Sequence, residues 1–114
     1  MLKQLSFTEY DREVFATSPL FIGLTEDELE LMTKVAEIYR YENNETIFKK
    51  GANESSLYVV ISGRVDIFDH MEDVTNYLIA VMTRGNFLGE MAFISGEKRT
   101  ATAICQDITR VLKL

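Results

Sequence analysis

Glu90 and Arg99 carry the most pointed chemistry in this sequence. They sit in Gly85-Asn86-Phe87-Leu88-Gly89-Glu90-Met91-Ala92-Phe93 and, a few residues on, Arg99-Thr100-Ala101-Thr102. A guanidinium is always charged and presents its donors in a planar fork, which suits a phosphate in a way a lysine ammonium cannot copy. An ionised carboxylate is acceptor-only, so Glu90 could take a hydrogen from a ligand hydroxyl. Residues Glu90 to Ile94 are predicted to form a short helix after Gly89. Its first N–H groups lack intrahelical partners and suit an anion. Gly89 allows a close backbone approach or a positive φ. Together these residues could hold a small anion. The bland alternative is that Glu90 and Arg99 pair with each other as an internal salt bridge in a domain that binds nothing.

Other chemistry has little to work with. The chain has one His and one Cys, so no Ser-His-Asp or Cys-His set and no zinc-binding cluster can be assembled from it. Cys105 reads as a strand residue packed on one face, with no neighbouring cation to activate its thiol. His70 reads as a solvated residue beside a loop. Met32, Met71, Met82 and Met91 share no single spacing, so they form no partner-binding stripe. No catalytic residues are assigned, and the chain is read as a non-enzyme that needs no cofactor or metal.

Composition points the same way. The 114 residues suit one domain, and a net charge of −6 with a single Lys49-Lys50 pair argues against direct contact with nucleic acid. No run of about 18 apolar residues is present to span a membrane. Met1 to Tyr10 lacks the apolar stretch of a secretory signal. A lone cysteine agrees with a reducing compartment. The expectation is a cytoplasmic module, with the option that it is the soluble part of something larger.

The supporting elements divide into a helical beginning and a strand-rich remainder. Thr8 to Ala16 predicts a short helix capped by Thr8 and stopped by Ser18-Pro19. Leu20 to Leu24 predicts a tight turn plugging one end of the core. Thr25 and Glu28 form a capping box, followed by a helix whose stripe is Leu29, Met32, Val35 and Ala36. The period then becomes two. Strands are expected at Ile38 to Tyr41, Thr46 to Lys49, Leu57 to Ile61, Arg64 to Phe68, Asn76 to Met82, Ala101 to Ile104 and Thr109 to Leu114. Gly51 to Glu54 reads as a loop, Ser62-Gly63 as a hairpin turn, and Asp69 to Thr75 as the most flexible loop. Many short strands joined by glycine turns indicate a barrel or two-layer roll.

From Leu20 to Leu114 the pattern resembles the cyclic nucleotide-binding domain family, which includes kinase regulatory subunits, catabolite-activator-like regulators and gated channels. The helix from Thr25 leads straight into strands. Gly51 and Leu57-Tyr58-Val59-Val60-Ile61-Ser62-Gly63-Arg64-Val65 match the family's strand, glycine turn and returning strand. Gly85 to Thr102 resembles its phosphate-binding cassette, with the Glu-to-Arg spacing of the kinase-type version. The resemblance implies a mainly β fold, a double-stranded β-helix or jelly-roll-like β-roll. Residues 1–19 would be an N-terminal helical segment and residues 20–114 the roll, with the family's C-terminal lid helices absent.

The resemblance also implies a site. Arg99 would bind the cyclic phosphate and Glu90 the ribose 2′-OH. Gly89, Met91, Ala92 and the Ala101 N–H would complete the wall, and Phe87, Ile67 and Ile79 would line the base side. Thr100 keeps both cAMP and cGMP open, because a hydroxyl there often accompanies cGMP while Thr is tolerated in cAMP sites. Two positions depart from the family: Lys98 stands where a proline is common, and Asn44 where a glycine is usual. The implied function is a regulatory module that binds cAMP or cGMP and signals to an attached or partner effector, possible homodimerisation included. The alternatives are a non-binding docking scaffold and the sensor half of a transcription regulator.

Overall fold

The computed structural model describes the backbone of every residue except Leu5, Glu72 and Asp73, and the side chains of all except these and residues 70–76. It is mainly β. Nine strands and three short helices are found among the described residues: β1 (Leu2–Gln4), α1 (Glu9–Thr17), α2 (Glu26–Val35), β2 (Glu37–Tyr41), β3 (Thr46–Phe48), β4 (Tyr58–Ser62), β5 (Val65–Met71), β6 (Val74–Met82), β7 (Phe87–Leu88), α3 (Glu90–Ser95), β8 (Thr102–Cys105) and β9 (Thr109–Lys113). One antiparallel sheet has the order β1-β2-β9-β4-β7 and the other β3-β8-β5-β6.

The helices α1 and α2 begin where their sequences specify. Thr8 and Thr25 each accept a bond from the amide three residues on, and Asp11 and Glu28 reach back to the cap amide. Each reciprocal box satisfies two donors that would otherwise be orphaned. Leu29 is buried on α2 and Met32 half-buried, but Val35 at the end of the expected stripe is exposed. The helix ends at Val35, and the chain turns into β2 before that side chain meets the core. Of the expected plug, only Phe21 is buried. It stacks on Phe15 with ring centroids 4.4 Å apart, while Leu20 and Ile22 remain exposed. A five-residue turn cannot direct every apolar side chain the same way.

Strand β4 explains how the layers fit. Tyr58 and Val60 face the space between the two sheets, with Val65, Ile67, Ala103, Cys105 and Val111. Val59 and Ile61 face the opposite way, toward Val14, Phe15 and Leu29 of the helices. Both faces are covered, so the sequence here is an unbroken apolar run rather than an alternating one. Val65 and Ile67 share the inter-sheet face, as their spacing in sequence requires.

Two sequence expectations are corrected. Ser62-Gly63 is not a hairpin, because β4 pairs with β7 and β9 while β5 pairs with β6 and β8. The turn is a corner that passes the chain from one sheet to the other. Gly63 has φ +93°, and a Cβ there would lie 2.5 Å from the Ile108 carbonyl oxygen, so the corner has no room for a side chain. The polar stretch from Asp69 to Thr75 is mostly strand: β5 continues to Met71 and β6 starts at Val74, with Asp69 opposite Tyr77. The expectation for the His70 side chain lies outside the described residues. Asn44 takes φ +70° in its turn, a conformation Asn tolerates.

Residues 1–19 are tied into the roll. Strand β1 pairs with β2, and fully buried Asp11 on α1 accepts two bonds from Arg110 of β9, at 2.7 and 2.9 Å. Cys105 is fully buried in β8, and burial pushes its thiol up to about 11. Among the described residues, no helix is long and apolar enough to cross a membrane.

Candidate functional site

A cavity of about 160 Å³ opens where α3, the loop before β8, and strands β5 and β6 converge. One water needs roughly 10–15 Å³, so this is ligand-scale space. Its wall includes Gly89, Glu90, Met91, Ala92, Arg99, Thr100 and Ala101, together with Lys98. Phe48, Ile67, Ile79, Met82 and Leu88 supply its apolar side. Of the residues expected to surround a ligand, Phe87 alone is not at this cavity. Leu88 lies opposite Tyr58 and therefore faces the inter-sheet space. Phe87 lies opposite Val59 and packs with it on the helix side. One step along a strand reverses the face.

The apolar wall owes its shape to a bulge. Ile67 is opposite Ala80 and Phe68 opposite Leu78, which leaves Ile79 as an extra residue in β6. An unpaired bulge residue is re-aimed relative to its neighbours. Ile79 stays half exposed and borders the cavity.

Arg99 is only 3% exposed. Its Nη1 donates to the Gly89 carbonyl oxygen at 3.0 Å. Its Nη2 donates to Glu54 Oε2 and to the Ser56 carbonyl oxygen, both at 2.6 Å. The guanidinium lies over the Phe48 ring, 4.2 Å from its centroid, with the Tyr58 ring 5.9 Å away. The Arg99 Nε–H is buried and has no partner among the described residues. A buried unsatisfied donor costs about 1–3 kcal/mol. In a native fold such a group calls for an explanation, and a ligand acceptor is one.

Glu54, not Glu90, is therefore the carboxylate that pairs with Arg99. The loop carrying it is clipped to the Arg99 backbone, with the Gly51 amide donating to the Arg99 oxygen at 2.8 Å and the Arg99 amide to the Ala52 oxygen at 3.0 Å. Burial raises the Glu54 pKa, but the bonds it accepts from Arg99 and Ser56 outweigh this and hold it below the usual carboxylate range. Burial, with nearby Glu54 adding to it, pushes the Tyr58 hydroxyl far up. Sequence reasoning placed Glu54 in a loop and gave it no role. Nothing local in Gly51-Ala52-Asn53-Glu54 signals an arginine partner on a distant segment.

Glu90 opens α3, half exposed at the cavity, and its side chain makes no hydrogen bond or ion pair among the described residues. Its carboxylate is free to accept. Gly89, just before it, has φ +84°. A Cβ there would collide with Arg99 Nη1 and lie 2.9 Å from the Ser56 oxygen. The glycine is what lets the backbone and the guanidinium approach so closely. Thr100 is exposed at the cavity, and Ala101 is buried.

A sequence model described as "Cyclic nucleotide-binding domain" matches residues 38–114. A cGMP-dependent protein kinase from Plasmodium berghei is 30% identical over 110 residues, which is 95% of this chain and 12% of the kinase. A cyclic AMP receptor protein from Thermus thermophilus is 31% identical over 97 residues, covering 85% of this chain and 45% of that protein. The chain thus spans less than half of either relative. The crystal structure of the N-terminal domain of a transcriptional regulator from Streptomyces coelicolor superposes with a TM-score of 0.83 at 25% identity, covering 89% of this chain and 72% of that one.

Proposed function

This chain belongs to the cyclic nucleotide-binding domain family, and on that premise we propose that it is a regulatory module whose cavity takes the phosphate of cAMP or cGMP. The observation that carries this reading is the buried, unpartnered Nε–H of Arg99 at the cavity wall. A phosphate oxygen would satisfy that donor with a charge-assisted bond. Three of the other four Arg99 N–H groups are already engaged by Gly89, Glu54 and Ser56, which fixes the plane of the guanidinium before any ligand arrives. Orientation made in advance lowers the cost of binding.

The uncommitted Glu90 carboxylate is then the acceptor for the ribose 2′-OH, and the Ala101 amide an added donor. Ile67, Ile79 and Met82 offer apolar contact to the rest of the ligand. Thr100 at the rim is compatible with either base. The role is binding and signalling rather than catalysis. The named relatives suggest the form of the output, a kinase or a transcription regulator, supplied by residues outside this chain.

The test is calorimetric titration with cAMP and with cGMP, on the wild type and on Arg99→Lys. Arg99→Lys keeps the charge and loses the fork. Binding of either nucleotide, weakened at least 100-fold in the variant, sustains the reading and names the ligand. No binding by well-folded wild-type protein overturns it.

A further inference from the structure

The charges around the cavity do not favour an anion until one residue is counted. The chain carries a net charge of −6. Arg99 is charged, but Glu54 already neutralises it at 2.6 Å. Glu90, unpaired, adds a negative charge at the wall. The triad Arg99, Glu54 and Glu90 sums to −1, which would repel a phosphate. Lys98 also lines this cavity, and it is exposed. Among the described residues, it pairs with no carboxylate. Its chain neighbour Glu97 makes no ion pair and does not line the cavity.

We infer that Lys98 is the steering cation of this site: it cancels the residual negative charge at the cavity mouth and draws the anionic ligand in. This rests on the phosphate-binding reading above. A free ammonium at an open rim acts on the encounter. It is strongly hydrated and mobile, and its attraction reaches about a Debye length, roughly 8 Å at physiological salt. The buried Arg99 donor acts after arrival, on how long the ligand stays. The two adjacent cations thus divide the work, Lys98 setting the association rate and Arg99 the dissociation rate.

The experiment is stopped-flow association of a fluorescent cAMP or cGMP analogue with wild type, Lys98→Arg, Lys98→Gln and Lys98→Glu, at low and high salt. At low salt, association should slow by about 3-fold in Lys98→Gln and about 10-fold in Lys98→Glu, and be unchanged in Lys98→Arg. Dissociation rates should match the wild type, and the differences should collapse at high salt. Unchanged association, or a salt-independent change in dissociation, would overturn the inference and assign Lys98 to loop geometry. If the wild type binds neither nucleotide, inorganic phosphate is titrated while amide resonances from Gly89 to Ala101 are followed. A phosphate affinity that depends on Lys98 and is screened by salt keeps the inference and discards only the nucleotide reading. No phosphate response discards both.

Discussion

Arg99 Nη2 and Glu54 Oε2 meet at 2.6 Å across 45 residues of sequence, and this contact helps to hold the guanidinium at the cavity wall. On the proposed reading, the carboxylate would also compete with a ligand phosphate for the same positive charge. Its side chain is 35% exposed, which tempers the energy of the pair.

Glu54→Gln should therefore move stability and affinity in opposite directions. The neutral amide still accepts from Arg99 but leaves more of its charge to the phosphate, while Gly89 and Ser56 keep the fork in place. Stability should fall by about 1–2 kcal/mol, while affinity for the bound nucleotide should rise several-fold. Chemical denaturation and calorimetry on the same preparation check both signs. Lower affinity with lower stability would make Glu54 purely a scaffold for Arg99.

Gly89→Ala should damage site and fold together. The added methyl must displace the Arg99 guanidinium or move the Ser56 carbonyl, and φ +84° is strained for any side chain. A cost of about 1–3 kcal/mol is expected from the backbone alone. Thermal denaturation should register it, and nucleotide titration should show affinity dropping toward that of an Arg99 variant.

The motif around these residues was legible in the sequence because its types and spacing are local: the glycine, the short helix, the arginine. Glu54 was not, since pairing across the roll depends on a loop being clipped to a distant strand. Phe87 illustrates a finer limit. The two-residue strand β7 takes its facing from the register with β4, which no local pattern fixes. Strand β1, whose shortest pairing, Gln4 opposite Ile38, spans 34 residues, escaped for the same reason. Ser62-Gly63 carried true turn chemistry. Whether such a turn closes a hairpin or a corner is decided by which strands arrive as neighbours.

Asp11→Asn should be among the most destabilising changes away from the cavity. Burial raises the Asp11 pKa, but the bonds from Arg110 and Thr8 outweigh it and hold the group below the usual carboxylate range. The unfolded chain binds that proton more tightly, so the stabilisation is fully present above about pH 4 and is lost as pH falls through the lower folded value. The variant should lose about 3–5 kcal/mol at neutral pH, because Arg110 is left without its charge partner. Its acid-unfolding limb should also be flatter than the wild type's. Denaturant titrations across pH 2 to about 7 measure both effects.

Cys105 should not react while the protein is folded. The side chain is fully inaccessible, and its thiol is pushed up to about 11, so little thiolate forms at pH near 8. A thiol reagent should label it only as fast as the fold opens, and the labelling rate should rise in Asp11→Asn in step with the loss of stability. Prompt labelling of the wild type would contradict the burial.

Strand β9 comes last in the chain yet sits third of five in its sheet, paired to β2 on one side and β4 on the other. A ribosome must therefore deliver residue 113 before that sheet can be continuous, and until then β2 and β4 expose the edges that β9 will fill. Folding is committed to long-range pairings with a high closure entropy, which places this roll among slowly folding topologies. The nascent chain has to be kept from pairing those open edges with its neighbours until synthesis passes β9.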